Sequence, residues 1–433
     1  MRLHFGAATF SVLLVWGSPA IGRAQEVPAR ASQPLFGAPD PRQSPYEALN
    51  GGLMASGTLF GAYDDNLLLT DSGLYAPPRL PVFGGTYAGY TGNLAYDWLG
   101  DTLAVRADLS TTGRYYPAYD VFRLGRQLGS VSLTAAGMSP WRGAHLNTNG
   151  AVQYRSHGVP FTAATFLPDD ALDVGAIAGE ISSYRSGLVS GAIQLGQDWG
   201  RRRSLSVTAS VQSTWLENYA RTAGYELGGM YSAKVGRHGV FRAGYSREAF
   251  DRGVGSYVIH NVTAGGNYAR PLSALRGAYV SFGGGTSAIE GRGTFRTTAV
   301  GDAGFRYEFK RSWTASAHYH RGFTFVDEVL QPLMANTFVG SVDGLLSPRL
   351  GLLVSSVTTL GNVGAIDTAS NYDMHGMRAR LRYSLSRRAA IQGEYLFYHY
   401  RFDDSIHLAQ NLPSTFHRQV ALVSITFLTR LID

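Results

Sequence analysis

The amino-acid sequence predicts an all-β protein: a transmembrane antiparallel β-barrel of about 18 strands (16–18) that follows an N-terminal signal peptide. Three observations lead to this prediction. The chain begins with a short apolar segment, and long stretches alternate between apolar and polar side chains. Only 16% of the 433 residues are charged, against about 25% in soluble proteins. Together these features indicate an exported protein whose strands contact lipid on one side.

Residues 1–24 are typical of a secretory signal peptide. An apolar stretch of 12 residues runs from Phe5 to Trp16 after the positive charge of Arg2, and Gly22-Arg23-Ala24 offers a cleavage site. The stretch is too short to cross a bilayer as a helix, which takes about 20 residues. We expect export, and the alternative is a buried N-terminal helix.

The next segment, residues 25–50, is expected to form a proline-rich periplasmic tail, and residues 51–433 the barrel. Proline lacks the backbone N–H that helices and strands use, so a high proline density disfavours both. The tail is long enough to contact a periplasmic partner but too short to fill a wide barrel. Its prolines are Pro28, Pro34, Pro39, Pro41 and Pro45.

Alternation with a period of two residues begins after Asn50 and continues to the end of the chain. Between Leu205 and Trp215, every odd position except Ser213 is apolar and every even position is polar. In a strand this period places one face in an apolar medium and the other in water. A soluble β-sandwich also alternates, but its strands have about 5–6 residues. The runs here extend over roughly 10–16 residues, which suits strands that cross a membrane.

Tyrosine and tryptophan cluster toward the ends of these runs. Such clustering is typical of the aromatic girdles at the two interfaces of a transmembrane barrel. The aromatic residues behind this prediction are Tyr63, Tyr87, Tyr90, Tyr96, Trp98, Tyr115, Tyr116, Trp199, Trp215 and Tyr219.

The predicted connections alternate between short turns and longer links, as periplasmic turns and outer loops do in bacterial barrels. The short turns include Ser139-Pro140 and Ser386–Arg388, and as a group they are rich in arginine. The long links include Pro117–Gln127, Ser156–Ser183 and Asp403–Thr415, and as a group they hold many acidic residues. This alternation places both chain termini in the periplasm and the acidic links outside the cell.

The final segment favours the same class of protein. Positions 417–428 alternate in the same way and resemble the C-terminal strand of outer-membrane barrels, which ends on an aromatic residue. Phe427 occupies that place here, and the extension Leu428–Asp433 departs from the usual pattern. The resemblance implies recognition by the barrel assembly machinery.

A resemblance to a known family lies at the first predicted strand. The segment Gly57–Leu67, GTLFGAYDDNL, resembles the opening of the outer-membrane β-barrel porin-2 family, in which an aromatic-Asp-x-Asn step ends the first strand. It is also similar to barrels associated with exopolysaccharide loci. The resemblance implies a barrel in the outer membrane of a Gram-negative bacterium. A local explanation stays open, because Asp64, Asp65 and Asn66 are also common turn residues.

No pattern of residues indicates catalysis. The chain has no cysteine, which excludes disulfide scaffolds, iron–sulfur clusters and thiolate zinc sites. His318 and His320 share one strand face and could hold a metal ion, but their neighbours are also polar and hydrated lumen histidines are favoured. Gly283-Gly284-Gly285 lies within an alternating strand and not before a helix, so it is not a phosphate loop. Small residues there relieve packing or bend the wall, and we expect no enzyme activity, no cofactor and no metal.

We therefore expect a passive, porin-like channel for small hydrophilic solutes, because barrels of about 16–18 strands leave an aqueous lumen. The alternatives are a conduit that exports an extracellular polysaccharide and a structural or adhesive surface barrel. The expected partners are outer-membrane lipid and lipopolysaccharide, the barrel assembly machinery and a periplasmic partner of the tail, with no nucleic acid. The predicted pore-lining residues are Arg106, Asp108, Arg242, Arg306, Glu308, His318, His320, Arg378, Arg380, Arg382, Gln392 and Glu394.

Selectivity is predicted from one strand. Arg378, Arg380 and Arg382 project from the same face about 6.5–7 Å apart and would form a ladder of arginines in water that favours anions. Acids on the longest link, 156–183, would fold inward and face this ladder. The alternative is that the ladder pairs locally with Glu394 and that the link stays outside. The candidate acids of the constriction are Asp169, Asp170 and Asp173.

Overall fold

The structure is a computed structural model of the full chain. The described residues are 52–65, 85–99, 103–116, 121–141, 144–155, 186–199, 202–216, 222–251, 255–273, 276–291, 294–309, 312–324, 333–363, 370–386, 388–403 and 415–432. The predicted signal peptide, the proline-rich tail and the acidic residues Asp169, Asp170 and Asp173 lie outside these residues.

The described residues form 18 long strands. Most have between 12 and 16 residues, so they match the long alternating runs of the sequence. The strands are β1 Gly52–Asp64, β2 Gly85–Leu99, β3 Leu103–Tyr116, β4 Val121–Trp141, β5 Ala144–Arg155, β6 Ser186–Trp199, β7 Arg203–Leu216, β8 Thr222–Val235, β9 Gly239–Asp251, β10 Ser256–Ser273, β11 Arg276–Gly291, β12 Thr294–Phe309, β13 Trp313–Thr324, β14 Leu333–Ser347, β15 Leu350–Val363, β16 Ser370–Ser384, β17 Ala389–Phe402 and β18 Thr415–Ile432.

The sheet closes on itself. Each strand pairs antiparallel with its neighbours along the chain, and β1 also pairs with β18. The prediction of an all-β antiparallel barrel is confirmed. The described part of the chain holds no helix that is long and apolar enough to cross a membrane.

The outer face of the barrel is apolar, as the alternation predicts. On β7, the apolar residues Leu205, Val207 and Val211 point outward and are exposed. On β16, Met377 and Leu381 point outward in the same way. A closed barrel has no sheet edge, so all its backbone N–H and C=O groups can pair between strands. A barrel of this kind with an apolar outer face is therefore stable in lipid. The fold is that of a transmembrane β-barrel.

The two ends of the barrel differ in the length of their connections. At one end, which we call the turn end, consecutive strands are separated by two to four residues. At the other, the loop end, the separations are more varied and reach from Arg155 to Ser186. Two predicted connections are wrong. Most of Pro117–Gln127 belongs to β4, and Ser139-Pro140 lies inside the same strand and not in a turn.

Local chemistry explains the tight turns at the turn end. Gly236, between β8 and β9, has a φ of 70°, a conformation that favours glycine because a Cβ atom would be crowded. Between β14 and β15, the Ser347 Oγ atom accepts hydrogen bonds from the backbone N–H groups of Arg349 and Leu350 at 3.4 and 3.1 Å. Such side-chain bonds stabilise a turn without a longer loop.

The first and last strands are joined along their whole length. Their pairing continues to Ile432, so the C-terminal extension is part of the barrel wall. Asp64 forms a buried ion pair with Arg418, and the Nε atom of Arg418 lies 3.0 Å from Oδ2 of Asp64. The Oδ1 atom of Asp65 accepts the backbone N–H of Gln419 at 2.6 Å. The two aspartates of the segment that resembles porin-2 therefore bind the last strand, which is more than local turn chemistry.

The Gly283-Gly284-Gly285 run lies in β11, where two backbones approach closely. A Cβ atom on Gly285 would overlap the carbonyl oxygen of Val262 on β10, whereas one on Gly284 would meet its nearest neighbour at 3.8 Å. Glycine at position 285 is therefore required by the packing of β10 against β11. The expectation that small residues relieve packing here is confirmed.

Candidate functional site: the inner face of the barrel

Strand register places the side chains of eleven of the twelve predicted pore-lining residues on the inner face. On β12 and β13, for example, Glu308 lies opposite Thr314 and Asp302 opposite His320, on the face away from the exposed Phe305. Asp108 lies on the inner face of β3 and opposite Ser132. Arg106 occupies the same face of the backbone, but its side chain is outside the described set.

One side of the inner face is buried. We call the inner-face residues of β14–β18 the buried wall. The Oγ1 atoms of Thr337 and Thr359 are 3.2 Å apart within it, so neighbouring strands share a hydroxyl contact. Its members include Leu333, Ala335, Thr337, Val339, Leu353, Ser355, Val357, Thr359, Tyr372, Met374, Arg378, Arg380, Leu396, Tyr398, Tyr400, Arg418, Val420 and Ser424.

The predicted arginine ladder lies on this wall and is not in water. Arg378 and Arg380 are each only 6% exposed. The Nε atom of Arg378 lies 2.7 Å from Oε1 of Glu394, and Gln392 donates to Oε2 of Glu394 at 2.7 Å. The prediction of a hydrated ladder is wrong for these two arginines, and the alternative of local pairing with Glu394 is confirmed for Arg378. Pairing with the Glu394 carboxylate offsets the charge of Arg378, so it weakens the field that such a ladder could exert on a passing ion.

The opposite side of the inner face is accessible. We call the inner-face residues of β6–β13, apart from buried ones such as Tyr257, Ile259 and Ile289 near the loop end, the exposed wall. Serine, threonine and glycine are the commonest residues on it, as in Ser206, Thr208 and Ser210 on β7. Arg242, Asp302 and His320 are exposed there. Solvent therefore reaches charged side chains inside the barrel along this wall.

Charged residues on β12 and β13 form a mixed group on the exposed wall. The Nη2 atom of Arg306 lies 3.0 Å from Oε1 of Glu308. Asp302 lies opposite His320, and its carboxylate lies against the backbone of Gly283. Among the described residues, no group of three or more His, Cys, Asp or Glu side chains could hold a metal ion. The residues present here suit contact with polar solutes better than metal binding.

A carboxylate pair on the exposed wall escaped the sequence analysis. Glu226 on β8 lies directly opposite Glu248 on β9. Glu226 accepts a hydrogen bond from Ser210 at 3.3 Å, and Glu248 accepts one from Asn261 at 2.9 Å. A sequence pattern could have identified their inward direction: a charged residue that lies between two apolar residues of an alternating strand, as Glu226 lies between Tyr225 and Leu227. Their register could not be obtained from the sequence.

The carboxylate pair and the arginines of β16 lie on opposite sides of the ring of strands. In the closed order of 18 strands, β8 lies half-way round the ring from β17, which carries Glu394 and Gln392. The carboxylate pair therefore lies across the barrel from the wall that carries Arg378, Arg380 and Arg382. A transverse arrangement of acids and arginines was predicted, but the acids in the described structure come from strands β8 and β9.

Large side chains cover the inner face near the loop end. Tyr257, Ile259 and Ile289 form a buried cluster with Phe250 packed against it. Tyr87 was expected in an outer aromatic girdle, and this is wrong. It points inward opposite Ala62, is buried, and its ring packs edge-on against Phe60 at 6.0 Å.

The other described girdle residues behave differently. Tyr63, Tyr96, Trp98, Trp199 and Trp215 are exposed on the outer face. At the turn end, the rings of Phe305, Tyr307, Phe309 and Trp313 stack in a row on that face with spacings of 6.4, 5.9 and 6.0 Å. The prediction of outer aromatic girdles is confirmed for these residues.

Comparison with known proteins gives structural neighbours only. No family model and no curated protein matches the chain. OccK2 (OpdF) of Pseudomonas aeruginosa, solved in complex with glucuronate, is 10% identical over 88% of this chain and 98% of its own, with a TM-score of 0.47. OccAB2 of Acinetobacter baumannii is 10% identical over 88% and 98%, with a TM-score of 0.46.

A siderophore receptor is also among these neighbours. The siderophore receptor PirA of Pseudomonas aeruginosa is 11% identical over 88% of this chain and 80% of its own, with a TM-score of 0.39. Likenesses this distant carry no conclusion about solutes. The resemblance of Gly57–Leu67 to the porin-2 family and to exopolysaccharide loci stays a hypothesis.

Proposed function

We propose that the protein is a passive, porin-like channel for small hydrophilic solutes in the outer membrane of a Gram-negative bacterium. The observation that carries this proposal is the exposed wall. A closed barrel with an apolar outer face presents exposed polar and charged side chains on the inner face of β6–β13. An interior of this chemistry suits water and polar solutes, and barrels of about 18 strands are wide enough for both.

The solute path is expected to lie along one side of the barrel. The buried wall offers few accessible polar groups, whereas the exposed wall offers hydroxyl, amide, carboxylate and guanidinium groups. Glu226 and Glu248 would attract cationic groups, and Arg242 would attract anionic groups. We infer a channel for polar solutes of both signs, without catalysis and without a bound cofactor.

The alternative of a polysaccharide export conduit has less support. A conduit needs aromatic rings that are free to stack on sugar rings. The inner-face rings of Tyr257, Tyr372, Tyr398 and Tyr400 are buried, so these four offer no free face to a passing polymer, and Tyr279 and Phe60 are only partly exposed. The adhesive barrel has no specific observation in its favour among the described residues.

Single-channel conductance of the refolded protein in a planar lipid bilayer tests the proposal. We expect stepwise conductance without any partner protein, with reversal potentials that change when Arg242 or the Glu226 and Glu248 pair is neutralised. A folded protein that inserts into the bilayer but never conducts would contradict the channel. Fractionation with outer membranes and faster gel migration before boiling than after it are the matching tests of membrane assembly.

Orientation is tested by labelling intact cells. We propose that the loop end faces outward, because it carries the longer connections and outer-membrane barrels have short periplasmic turns and longer extracellular loops. A tag inserted at Asp403-Asp404 is expected to be accessible, and one at Arg387-Arg388 is expected to be protected. The reverse pattern would invert the barrel and would leave the channel proposal itself intact.

A further inference from the structure

Three histidines lie side by side across three consecutive strands. Register places His375 on β16 directly opposite His399 on β17, and His399 directly opposite His417 on β18. The ring centroids are 6.3 Å and 6.2 Å apart along this line. We call the three residues the histidine row. Nothing in the channel proposal uses them, because they lie on the outer face.

Polar groups lie beside the histidine row, and the ring of Phe397 packs edge-on against His417 at 5.3 Å. The Nδ1 atom of His375 lies 3.2 Å from Oγ1 of Thr358 on β15, and Gln419 lies 3.0 Å from Nε2 of His417. Two carboxylates are near: Asp373 lies 3.9 Å from His399 and Asp65 lies 3.9 Å from His417.

Both nearby carboxylates are already engaged. Asp373 forms an ion pair with Arg401 at 2.7 Å, and Asp65 accepts the backbone N–H of Gln419. Arg401 itself is exposed, with 67% of its side chain accessible. When the imidazoles are protonated, the site therefore has more positive than negative groups.

The row lies where the apolar surface ends. Below it on the same strands are the exposed outer-face residues Met377, Tyr395 and Val423. The hydroxyl of Tyr395 points toward the row and donates to Oε1 of Gln419 at 2.8 Å. A tyrosine with its ring on the apolar surface and its hydroxyl among polar groups marks the interface between acyl chains and headgroups. The row is thus at headgroup level at the loop end.

Protonation of the row creates a specific electrostatic problem. Histidine changes charge between about pH 5 and 8, and like charges directly opposite each other on neighbouring strands destabilise a sheet. An anion that bridges the rings removes this repulsion and accepts charge-assisted hydrogen bonds from them. Phosphate is the anionic group that lipid headgroups present at this level.

We propose that the histidine row, with Arg401, binds a phosphate group of the lipid A anchor of lipopolysaccharide in the outer leaflet. Binding strengthens as the pH falls, because the protonated rings supply both charge and N–H donors. This inference depends on the proposed location in the outer membrane with the loop end outward. It does not depend on whether the barrel conducts.

The test uses the full refolded protein in detergent micelles. Binding of lipid A is measured by the rise in unfolding temperature at about pH 5.5 and about pH 8. The variant H375Q/H399Q/H417Q removes the row. The matched control is H260Q, because His260 is also on the outer face but stacks on Tyr245 on β9, at 6.1 Å.

We expect lipid A to stabilise the wild-type protein and H260Q at the lower pH, with at least about tenfold weaker binding by the triple variant. The single variants H417Q and R401Q, at half-exposed and exposed side chains, should bind more weakly if the triple variant fails to fold. Equal binding by wild-type protein and these folded variants would overturn the proposal.

Further arms identify the ligand. Dephosphorylated lipid A should give no shift that depends on the row, and a shift of equal size would overturn the role of phosphate. Inorganic phosphate alone producing the full shift would overturn the assignment to a lipid. Zinc that stabilises only the wild-type protein at about pH 8, with no row-dependent effect of lipid A at either pH, would replace the proposal with a metal site. Failure of outer-membrane fractionation would instead contradict the proposed location.

Discussion

The buried wall and the exposed wall carry the same sequence pattern but have different environments. On β15, the inward residues Ser355, Val357 and Thr359 are almost inaccessible. On β12 and β13, the inward residues Asp302 and His320 are exposed. Both regions carry exposed apolar residues on the outward face, for example Val354 on β15 and Phe305 on β12. Alternation therefore specifies which face meets lipid, but it does not specify whether the other face meets water or protein.

The largest expected effect is on the ion pair that joins β1 to β18 beside the buried wall. Asp64→Asn should lower the free energy of unfolding by about 3–5 kcal/mol, because it leaves the buried guanidinium of Arg418 without its countercharge. The measurement is the urea midpoint of the refolded barrel, followed by its heat-dependent gel migration.

The control for this prediction lies on the exposed wall. Asp302→Asn should change the free energy of unfolding by no more than about 0.5 kcal/mol, because its carboxylate is exposed and water replaces lost contacts. Equal destabilisation by the two variants would remove the distinction between the walls.

A smaller effect is expected where β10 approaches β11 on the exposed wall. Gly285→Ala should destabilise the barrel by about 1–3 kcal/mol, since the new methyl group overlaps the Val262 carbonyl. Gly284→Ala, one residue away, meets only ordinary contact distances and should be close to neutral. Urea unfolding of the two variants measures the difference, and similar midpoints would show that the strands can separate at little cost.

The smallest effect, and the sharpest test of function, is on ion selectivity. E226Q/E248Q should shift the reversal potential in a salt gradient toward anions, because it removes two carboxylates from the exposed wall. R378S/R380S/R382S should shift it toward cations by a smaller amount, because Arg378 and Arg380 are buried and Arg378 is paired with Glu394. If the arginine variant changed the reversal potential more than the glutamate variant, Arg378, Arg380 and Arg382 would be the main determinant of ion selectivity.

Much of the inner face was predictable, and most of the misses come from the register between strands. The inward direction of His318, Arg306 and Glu394 follows from the two-residue alternation of side chains within one strand. It can be predicted without knowing which strand is the neighbour. The pairing of Glu226 with Glu248 depends on the register between β8 and β9. Register is set by contacts along the whole strand pair and by the turn between the strands, so single-strand patterns could not reveal it.

Tyr87 illustrates a different limit. An aromatic residue at a strand end fits a girdle in lipid, but it fits the inner face equally well when a small residue lies opposite. Here Ala62 leaves the space, and the ring packs against Phe60. The histidine row was missed for the same reason as the carboxylate pair, since its members are far apart in the chain and meet only through register.

Composition and alternation alone were sufficient to identify an all-β antiparallel barrel with an apolar outer face, because hydrophobic burial in lipid acts on each strand separately. The glycine at the tight turn, Gly236, belongs to the same local level, whereas the need for glycine at position 285 arises from the pairing of β10 with β11. The closure of β1 onto β18, the opposed carboxylates, the burial of the arginines and the histidine row required the folded barrel. These features depend on which residues lie opposite one another around the ring, and that is a property of all 18 strands together.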